Sequence, residues 1–208
     1  MKLKRKPKII IISIALILIL TVAGIGVYKV FFDKPEVKEV KVLKTIDAYE
    51  YDLKDNKSKR YKELFKELES ILLEDKVSEE KYVQKIAEMF IYDFYSLSEK
   101  SAKTDVGGVD FVHPDALENF LKNAQDTFYK YVESNLYGER NQQLPTVSEI
   151  TIESCTETEY VYGEKKSEKA YEVKVNWTYT EETYSDYQSS TTLIFVKEGI
   201  KYYLVELQ

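Results

Sequence analysis

Two different periods of hydrophobic and polar residues follow each other along this chain. Up to about residue 138, apolar residues recur at spacings of three and four, which is typical of amphipathic helices. After Pro145, apolar residues alternate with polar ones at a period of two, which indicates half-buried strands. Helices followed by an antiparallel meander predict an α+β domain, with about three helices packed on one face of a sheet of about four strands.

Capping residues and one proline indicate where the three predicted helices begin. Ser58 is a favourable N-cap for a first helix over residues 59–74, and Ser78 caps a second helix. Pro114 stands at the first position of a third helix, which we expect to stop near Gly138. The apolar stripe of this third helix comprises Leu117, Phe120, Leu121, Ala124, Phe128 and Tyr131.

Four strands are predicted after the helices, and one extended segment before them. Residues 147–162 are rich in Thr and Ile, residues 171–179 alternate most regularly, and residues 191–197 and 201–207 form a hairpin across Glu198-Gly199. Residues 40–53 also read as extended because Tyr49, Tyr51 and Leu53 alternate with acidic residues.

The start of the chain has the pattern of a membrane anchor. Residues 9–28 carry no charge, and five basic residues precede them. Twenty helical residues span about 30 Å, the thickness of a bilayer core, and the basic tail is expected on the cytoplasmic side. We therefore predict a cytoplasmic tail (1–8), a single-pass anchor (9–32), a stalk and extended segment (33–56) and an extracytoplasmic domain (57–208).

A cleaved signal peptide is the alternative interpretation of the same segment. A cut after Ala23 is conceivable, with Thr21 three positions before the cleaved bond. The apolar run continues to Phe32, however, and exceeds the roughly 7–15 residues of a signal-peptide core. Its length favours the uncleaved anchor.

Charge and cysteine content narrow the possible partners. After Lys29 the chain has 24 basic and 36 acidic residues, a net charge of −12. A nucleic-acid partner is excluded, because nucleic-acid binding requires basic surfaces. Cys155 is the only cysteine, so no internal disulfide is possible and the fold must be stabilised by packing. The predicted partners are the membrane, through the anchor, and a protein partner or a second copy of the chain.

The C-terminal pattern resembles a known fold family. Residues 192–207, TLIFVKEGIKYYLVEL, are similar to the last hairpin of nuclear transport factor two-like domains, which also place a helix opened by Pro-Asp, here Pro114-Asp115, before a curved antiparallel sheet. The overall plan is similar to the single-span assembly proteins of type IV secretion and conjugation machines in bacteria. The resemblance implies a cone-shaped domain and concerns architecture only.

Asp93 is the polar residue of greatest interest for a ligand pocket. It lies on the apolar stripe of the second predicted helix, seven residues after Ile86 and four before Leu97. A carboxylate in a pocket, lined also by Tyr171 and Trp177, would act as a general base or bind a ligand. The alternative is a structural role, in which the carboxylate is paired with a Lys or with a Tyr hydroxyl, and we favour this alternative.

A second candidate is the connection over residues 181–190, which contains Tyr184, Asp186 and Tyr187. Tyrosines in an exposed loop are suited to protein or glycan contact, although a solvated hairpin tip is the simpler interpretation. His113 is the only histidine and is expected to cap the third helix. Without a second His or Cys, or acidic residues at ligand spacing, we predict neither a metal site nor a cofactor.

Two functional hypotheses follow from the sequence. The first is a non-enzymatic binding or scaffold module, held on the outer face of a bacterial membrane and possessing no catalytic residue. The alternative is a small-molecule pocket enzyme of the same fold that uses Asp93. The first needs only an acidic folded domain on a tether, and the sequence favours it.

Overall fold

A computed structural model describes residues 39–162 and 165–208, and this part of the chain has the predicted α+β architecture. Its helices are α1 (Lys59–Leu72), α2 (Glu79–Tyr95) and α3 (Pro114–Asp126). Its strands are β1 (Val42–Ile46), β2 (Tyr51–Lys54), β3 (Val147–Tyr162), β4 (Lys165–Tyr179), β5 (Ser190–Glu198) and β6 (Lys201–Leu207). Three helices and a four-stranded antiparallel sheet are therefore confirmed for the described residues.

Each helix begins at the predicted cap. The hydroxyl of Ser58 accepts a hydrogen bond from the Tyr61 backbone N–H, and that of Ser78 accepts one from Lys81. The imidazole Nδ1 of His113 accepts the backbone N–H of Asp115 at 3.1 Å, so His113 caps α3 as predicted. These bonds satisfy backbone donors that the first turn of a helix leaves without partners.

The main sheet has the strand order β3-β4-β5-β6, and all its neighbours are antiparallel. The outer edge of β6 is covered by the segment before α3. Val112 forms a parallel bridge with Leu204, and the backbone N–H of His113 donates to the Leu204 carbonyl at 2.8 Å. At the opposite edge, β3 presents four exposed acidic side chains: Glu149, Glu153, Glu157 and Glu159.

The core lies between the helices and one face of this sheet. Alternate residues of β4 enter it: Tyr171, Val173, Val175 and Trp177 are buried, as their period of two predicts. Helix α2 supplies the largest share of the core and is buried on nearly all sides over its last two turns, from Met89 to Tyr95. A helix in this position brings any polar residue of its last turns into the protein interior.

Two segments differ from the sequence-based prediction. Residues 40–53 form the β1–β2 hairpin, with a short 3₁₀ turn at Asp47–Tyr49, rather than one extended segment. Ile46, Tyr51 and Leu53 belong to the hydrophobic core, so this hairpin packs together with the helices and the main sheet.

The third helix is shorter than predicted, and one residue of its apolar stripe is wrong. Helix α3 ends at Asp126 because Thr127 adopts a non-helical conformation. The chain then turns, so that Tyr129 rather than Tyr131 enters the core. The Tyr129 hydroxyl donates to the backbone carbonyl of Phe94 at 2.6 Å, whereas 74% of Tyr131 is exposed.

The predicted tail, anchor and first part of the stalk, residues 1–38, lie outside the described residues. Within residues 39–162 and 165–208, no helix has the length and apolar character needed to cross a bilayer.

Candidate functional site

Asp93 is at the centre of a buried ionic cluster. Only 2% of this residue is exposed. Its two carboxylate oxygens accept hydrogen bonds from Lys57 Nζ at 2.8 and 2.7 Å, and Oδ1 also accepts one from Lys100 Nζ at 2.6 Å. The backbone N–H of Gly108 donates to Oδ2 at 2.8 Å. We call these four residues the Asp93 centre.

The Asp93 centre joins three separate parts of the chain. Lys57 comes from the turn before α1, Lys100 follows a 3₁₀ turn just after α2, and Gly108 lies in the loop that leads to α3. Gly108 has a φ of +74°, a conformation that side chains other than hydrogen disfavour. A Cβ on the preceding Gly107 would lie 2.0 Å from the Asp93 carbonyl oxygen, so this close approach requires glycine.

The electrostatics of the Asp93 centre favour a permanently ionised carboxylate. Burial would by itself raise the pKa of Asp93, but the ammonium groups of Lys100 and Lys57 outweigh it and hold the pKa well below its usual range. A general base needs a pKa near the working pH and access to a substrate proton. The pKa of Asp93 is too low for this role, and its carboxylate is closed to a substrate. The geometry is that of a structural ion cluster, in agreement with the predicted alternative of a carboxylate paired with a Lys.

Tyr171 and Trp177 lie on the same face of β4 but have other neighbours. The Tyr171 ring packs edge-on against Tyr202 at 5.5 Å, and its hydroxyl donates to Glu157 at the long distance of 3.4 Å. The Trp177 ring packs against Tyr95, with 4.2 Å between the ring centroids. The contacts of these two rings therefore differ from those of Asp93, which lie among lysines and the Gly107-Gly108 turn.

The β4–β5 connection is only partly exposed. Tyr184, which was expected in an exposed loop, is buried with 8% of its surface accessible, because it packs edge-on against Tyr187 and Tyr179. Tyr187 is 48% exposed, and Asp186 is exposed beside it. The Tyr179 hydroxyl donates to the Gln188 carbonyl at 2.8 Å and holds the end of the loop against the sheet.

An open pocket of about 450 Å³ lies on one side of this loop. It is bounded by the end of α2, the last turns of α3, the loop residue Gln188 and the end of β6. We call it the aromatic pocket. Its lining residues are Phe94, Tyr95, Phe120, Asn123, Ala124, Thr127, Phe128, Gln188 and Leu207. None of these nine residues carries a formal charge at neutral pH.

The walls of the aromatic pocket are rings in mutual contact. Phe94 stacks on Phe128 at 5.4 Å with 14° between the planes, and packs at a tilt against Phe120 at 5.4 Å. Tyr95 meets Phe128 edge-on at 5.1 Å. Burial raises the pKa of Tyr95, so its hydroxyl stays protonated. That hydroxyl makes no hydrogen bond within the described part of the chain.

A second cavity, of about 380 Å³, also borders the β4–β5 loop. We call it the polar groove; its lining includes Asn135, Gln142, Gln143, Thr146, Glu181, Thr183 and Tyr184. Arg140 also lines it, and its guanidinium donates to the backbone carbonyls of Ser98 and Lys100. The two cavities thus differ in polarity and share one loop.

Other reactive groups of the described residues have structural surroundings. Cys155 is a free, half-buried thiol, and burial together with Glu80 raises its pKa to about 12, which makes it a poor nucleophile. Among residues 39–162 and 165–208, no group of three or more His, Cys, Asp or Glu side chains is arranged to hold a metal ion.

Sequence reasoning identified Asp93 but missed its partners and the aromatic pocket. Lys57 lies in a turn and Lys100 between two elements, where nothing in the local sequence separates them from other lysines. The adjacent glycines at 107 and 108 were a usable signal, because paired glycines suggest a close approach of the backbone. Phe120 and Phe128 were predicted to be core residues; both pack against the core, and both also line an open pocket, which was not predicted.

Comparisons of this chain with protein-family models, curated proteins and solved structures find no match. The functional interpretation therefore rests on the geometry of the chain's own residues.

Proposed function

We propose that this chain is a membrane-anchored, extracytoplasmic binding or scaffold module of a bacterium, and that it is not an enzyme. The observation that carries the proposal is the division of charge between the two candidate sites. The carboxylate of Asp93 is closed in and compensated by two lysines, whereas the accessible aromatic pocket has no charged lining residue.

Catalysis requires reactive groups where a substrate can reach them. The lining of the aromatic pocket offers amides, a threonine hydroxyl and a tyrosine hydroxyl whose pKa is raised by burial. None of these is an effective base or nucleophile without an activating partner. Concave apolar surfaces with a few polar groups are typical of recognition.

The finer architecture is also part of the proposal. Helices that precede an antiparallel meander, with the Pro114-Asp115 helix directly before the sheet, support a cone-shaped domain similar to nuclear transport factor two-like domains. The uncharged residues 9–28 after a basic tail support a single-pass anchor with the C-terminal domain outside. This plan is similar to that of single-span secretion and conjugation assembly proteins.

The surface around the β4–β5 loop is the proposed contact for a protein partner or a second copy. Tyr187 is exposed at the tip of a tyrosine cluster, and tyrosines are enriched at protein interfaces. Asp186 and Glu181 add negative charge, so the partner is expected to present basic or amide groups there.

A reporter fusion tests on which side of the membrane the C-terminal domain lies. A periplasmic-type reporter fused after Gln208 should be active only outside the cytoplasm, and the fusion should remain full-length in the membrane fraction. The same reporter fused after Lys8 is the cytoplasmic control. Activity of the Gln208 fusion inside the cell would refute the orientation, and a shortened soluble product would replace the anchor by a cleaved signal.

Site-specific crosslinking tests the contact surface. A photo-reactive amino acid at Tyr187 should give a discrete higher-mass product in intact cells. The matched control is Leu73, which is more exposed than Tyr187 (72% against 48%) but lies in the connection between α1 and α2. Equal products from both positions, or none from Tyr187, would argue against a binding role for this loop.

A further inference from the structure

The size of the aromatic pocket fits a small molecule. Its volume of about 450 Å³ lies within the roughly 300–1,000 Å³ that small-molecule sites occupy. Of its lining residues, Asn123 and Thr127 are exposed, whereas Tyr95 and Ala124 are buried. The lining of the pocket therefore extends from the surface into the interior.

The lining excludes a charged occupant. A charged group that leaves water for this pocket would lose its hydration and meet no opposite charge among the nine lining residues. The half-buried rings of Phe120 and Phe128 line the pocket and are partly exposed, and aromatic rings pack favourably against another aromatic ring.

One lining residue has a hydroxyl that is available for a hydrogen bond. Tyr95 lines the pocket, and its hydroxyl has no hydrogen-bond partner within the described residues. An occupant that brings an acceptor would supply this partner, which favours its binding over that of an occupant without one.

We propose that the aromatic pocket binds a neutral aromatic small molecule that carries one hydrogen-bond acceptor, with its rings packed against Phe120 and Phe128 and its acceptor toward the Tyr95 hydroxyl. This inference rests on the proposed binding function and specifies its ligand class.

The single tryptophan of the chain provides a direct readout. Full-length protein that carries 5-fluorotryptophan gives one ¹⁹F resonance, from Trp177, whose ring lies 4.2 Å from that of Tyr95. In a non-aromatic detergent, quinoline is the probe with an acceptor, and indole is the neutral bicyclic probe without a comparable one. Quinoline should shift the resonance in a saturable manner, with a dissociation constant on the order of 1 mM, as expected for a fragment of this size.

Two pairs of variants locate the binding. Asn123→Phe, at an exposed lining position, should abolish the shift, whereas Lys122→Phe, on the neighbouring exposed position outside the pocket, should preserve it. Wild-type protein should bind quinoline with a dissociation constant about fivefold or more below that of indole, because quinoline accepts one additional hydrogen bond. Tyr95→Phe should remove this difference. The Tyr95→Phe change retains the ring and therefore the fold.

A shift that is not saturable, or that persists unchanged in Asn123→Phe, would overturn the proposal. Equal affinity for quinoline and indole in the wild-type protein would overturn the role of the acceptor. If quinoline fails to bind while the Gln208 reporter is active outside, the ligand class is wrong and the binding module stands. If the reporter is active inside the cell, the proposed function fails whatever the ¹⁹F titration shows.

Discussion

The Asp93 centre and the aromatic pocket are built from the same helix and have opposite properties. Asp93 and the pocket residues Phe94 and Tyr95 are consecutive at the end of α2. One side of this helix meets two lysines and a glycine backbone and is closed to solvent. The other side lines the aromatic pocket, which has no charged lining residue and is open. Within three residues, the chain therefore passes from a closed ionic cluster to an open, uncharged pocket.

This separation indicates a division of roles. The Asp93 centre ties α1, α2 and the loop before α3 together through charged hydrogen bonds, which are shorter and stronger than neutral ones. Helix α2 and α3 are thereby held in a fixed position, and the aromatic pocket lies between their ends. The ionic cluster therefore positions the helices that form the walls of the pocket.

The largest effect should follow from removal of the Asp93 charge. Asp93→Asn preserves the shape of the side chain but leaves the Lys100 ammonium, only 4% of which is exposed, without a counter-charge. Breaking a buried ion pair in this way costs about 3–5 kcal/mol. Urea unfolding of the full chain should show this decrease in the free energy of unfolding.

Two controls sharpen this result. Asp126→Asn, at an exposed position, should change stability by less than about 0.5 kcal/mol. Adding Lys100→Met to Asp93→Asn should recover part of the loss, because it removes the unpaired cation. A fully stable Asp93→Asn protein would contradict the structural role and favour a ligand-binding carboxylate.

The second effect is a dependence of stability on pH. The two lysines hold the folded-state pKa of Asp93 well below its value of about 3.9 in the unfolded chain. The resulting stabilisation is fully present above the unfolded pKa and is lost as pH falls toward the folded pKa. Unfolding measured from pH 5 to pH 2 should therefore show a steeper decline for the wild-type protein than for Asp93→Asn.

Glu79 provides an internal reference for this pH series. Hydrogen bonds from Lys197 and Lys169 lower its pKa to about 2, so it also destabilises the fold when it is protonated. Both proteins in the comparison retain Glu79, and its contribution cancels in their difference. Parallel curves for the wild type and Asp93→Asn would show that Asp93 is not held ionised by the lysines.

A pair of glycine substitutions tests the backbone of the Asp93 centre. Gly108 and Gly199 both have positive φ angles, +74° and +61°. Gly199→Ala should cost about 1–2 kcal/mol, because only the backbone conformation is disfavoured there. Gly108→Ala should cost about 3 kcal/mol, since its Cβ would also lie 2.5 Å from the Phe90 ring. Equal thermal stabilities of the two variants would contradict this packing.

The smallest expected effect is in the wall of the aromatic pocket. Phe128 is only half-buried and borders a cavity that is already open, so Phe128→Ala should cost about 1–2 kcal/mol in chemical unfolding. Phe90→Ala, at a fully buried position of α2, is the control and should cost about 3–5 kcal/mol. Equal losses would show that the pocket is an integral part of the core.

The sequence predicted those features that depend on local periodicity. Capping residues and apolar spacing defined α1 and α2, and alternation defined β4, because each signal lies within the element itself. The end of α3 was missed, since Tyr129 and Tyr131 are chemically identical and only the turn after Asp126 decides which one is buried.

The candidate sites depend on contacts that local patterns do not contain. Asp93 was found because a carboxylate on an apolar stripe is unusual. Its partner Lys57 is 36 residues away in the chain, and the sequence has 30 basic residues from which to choose. The aromatic pocket was missed because a ring that lines an opening has the same spacing as a ring in the core, as Phe128 illustrates.

The two edges of the main sheet have a consequence for the proposed arrangement on a membrane surface. One edge, β6, is covered by Val112 and His113, and the other, β3, carries a row of glutamates. The β3 strand of a second copy carries the same glutamates, so two β3 edges repel each other. The covered edge of β6 offers few free backbone groups to a foreign strand. On the proposed tether the domain would be confined to a surface and concentrated there, and its single cysteine allows no internal disulfide that would prevent transient opening. Under those conditions this protection of both edges favours reversible encounters between neighbouring copies over growth into aggregates.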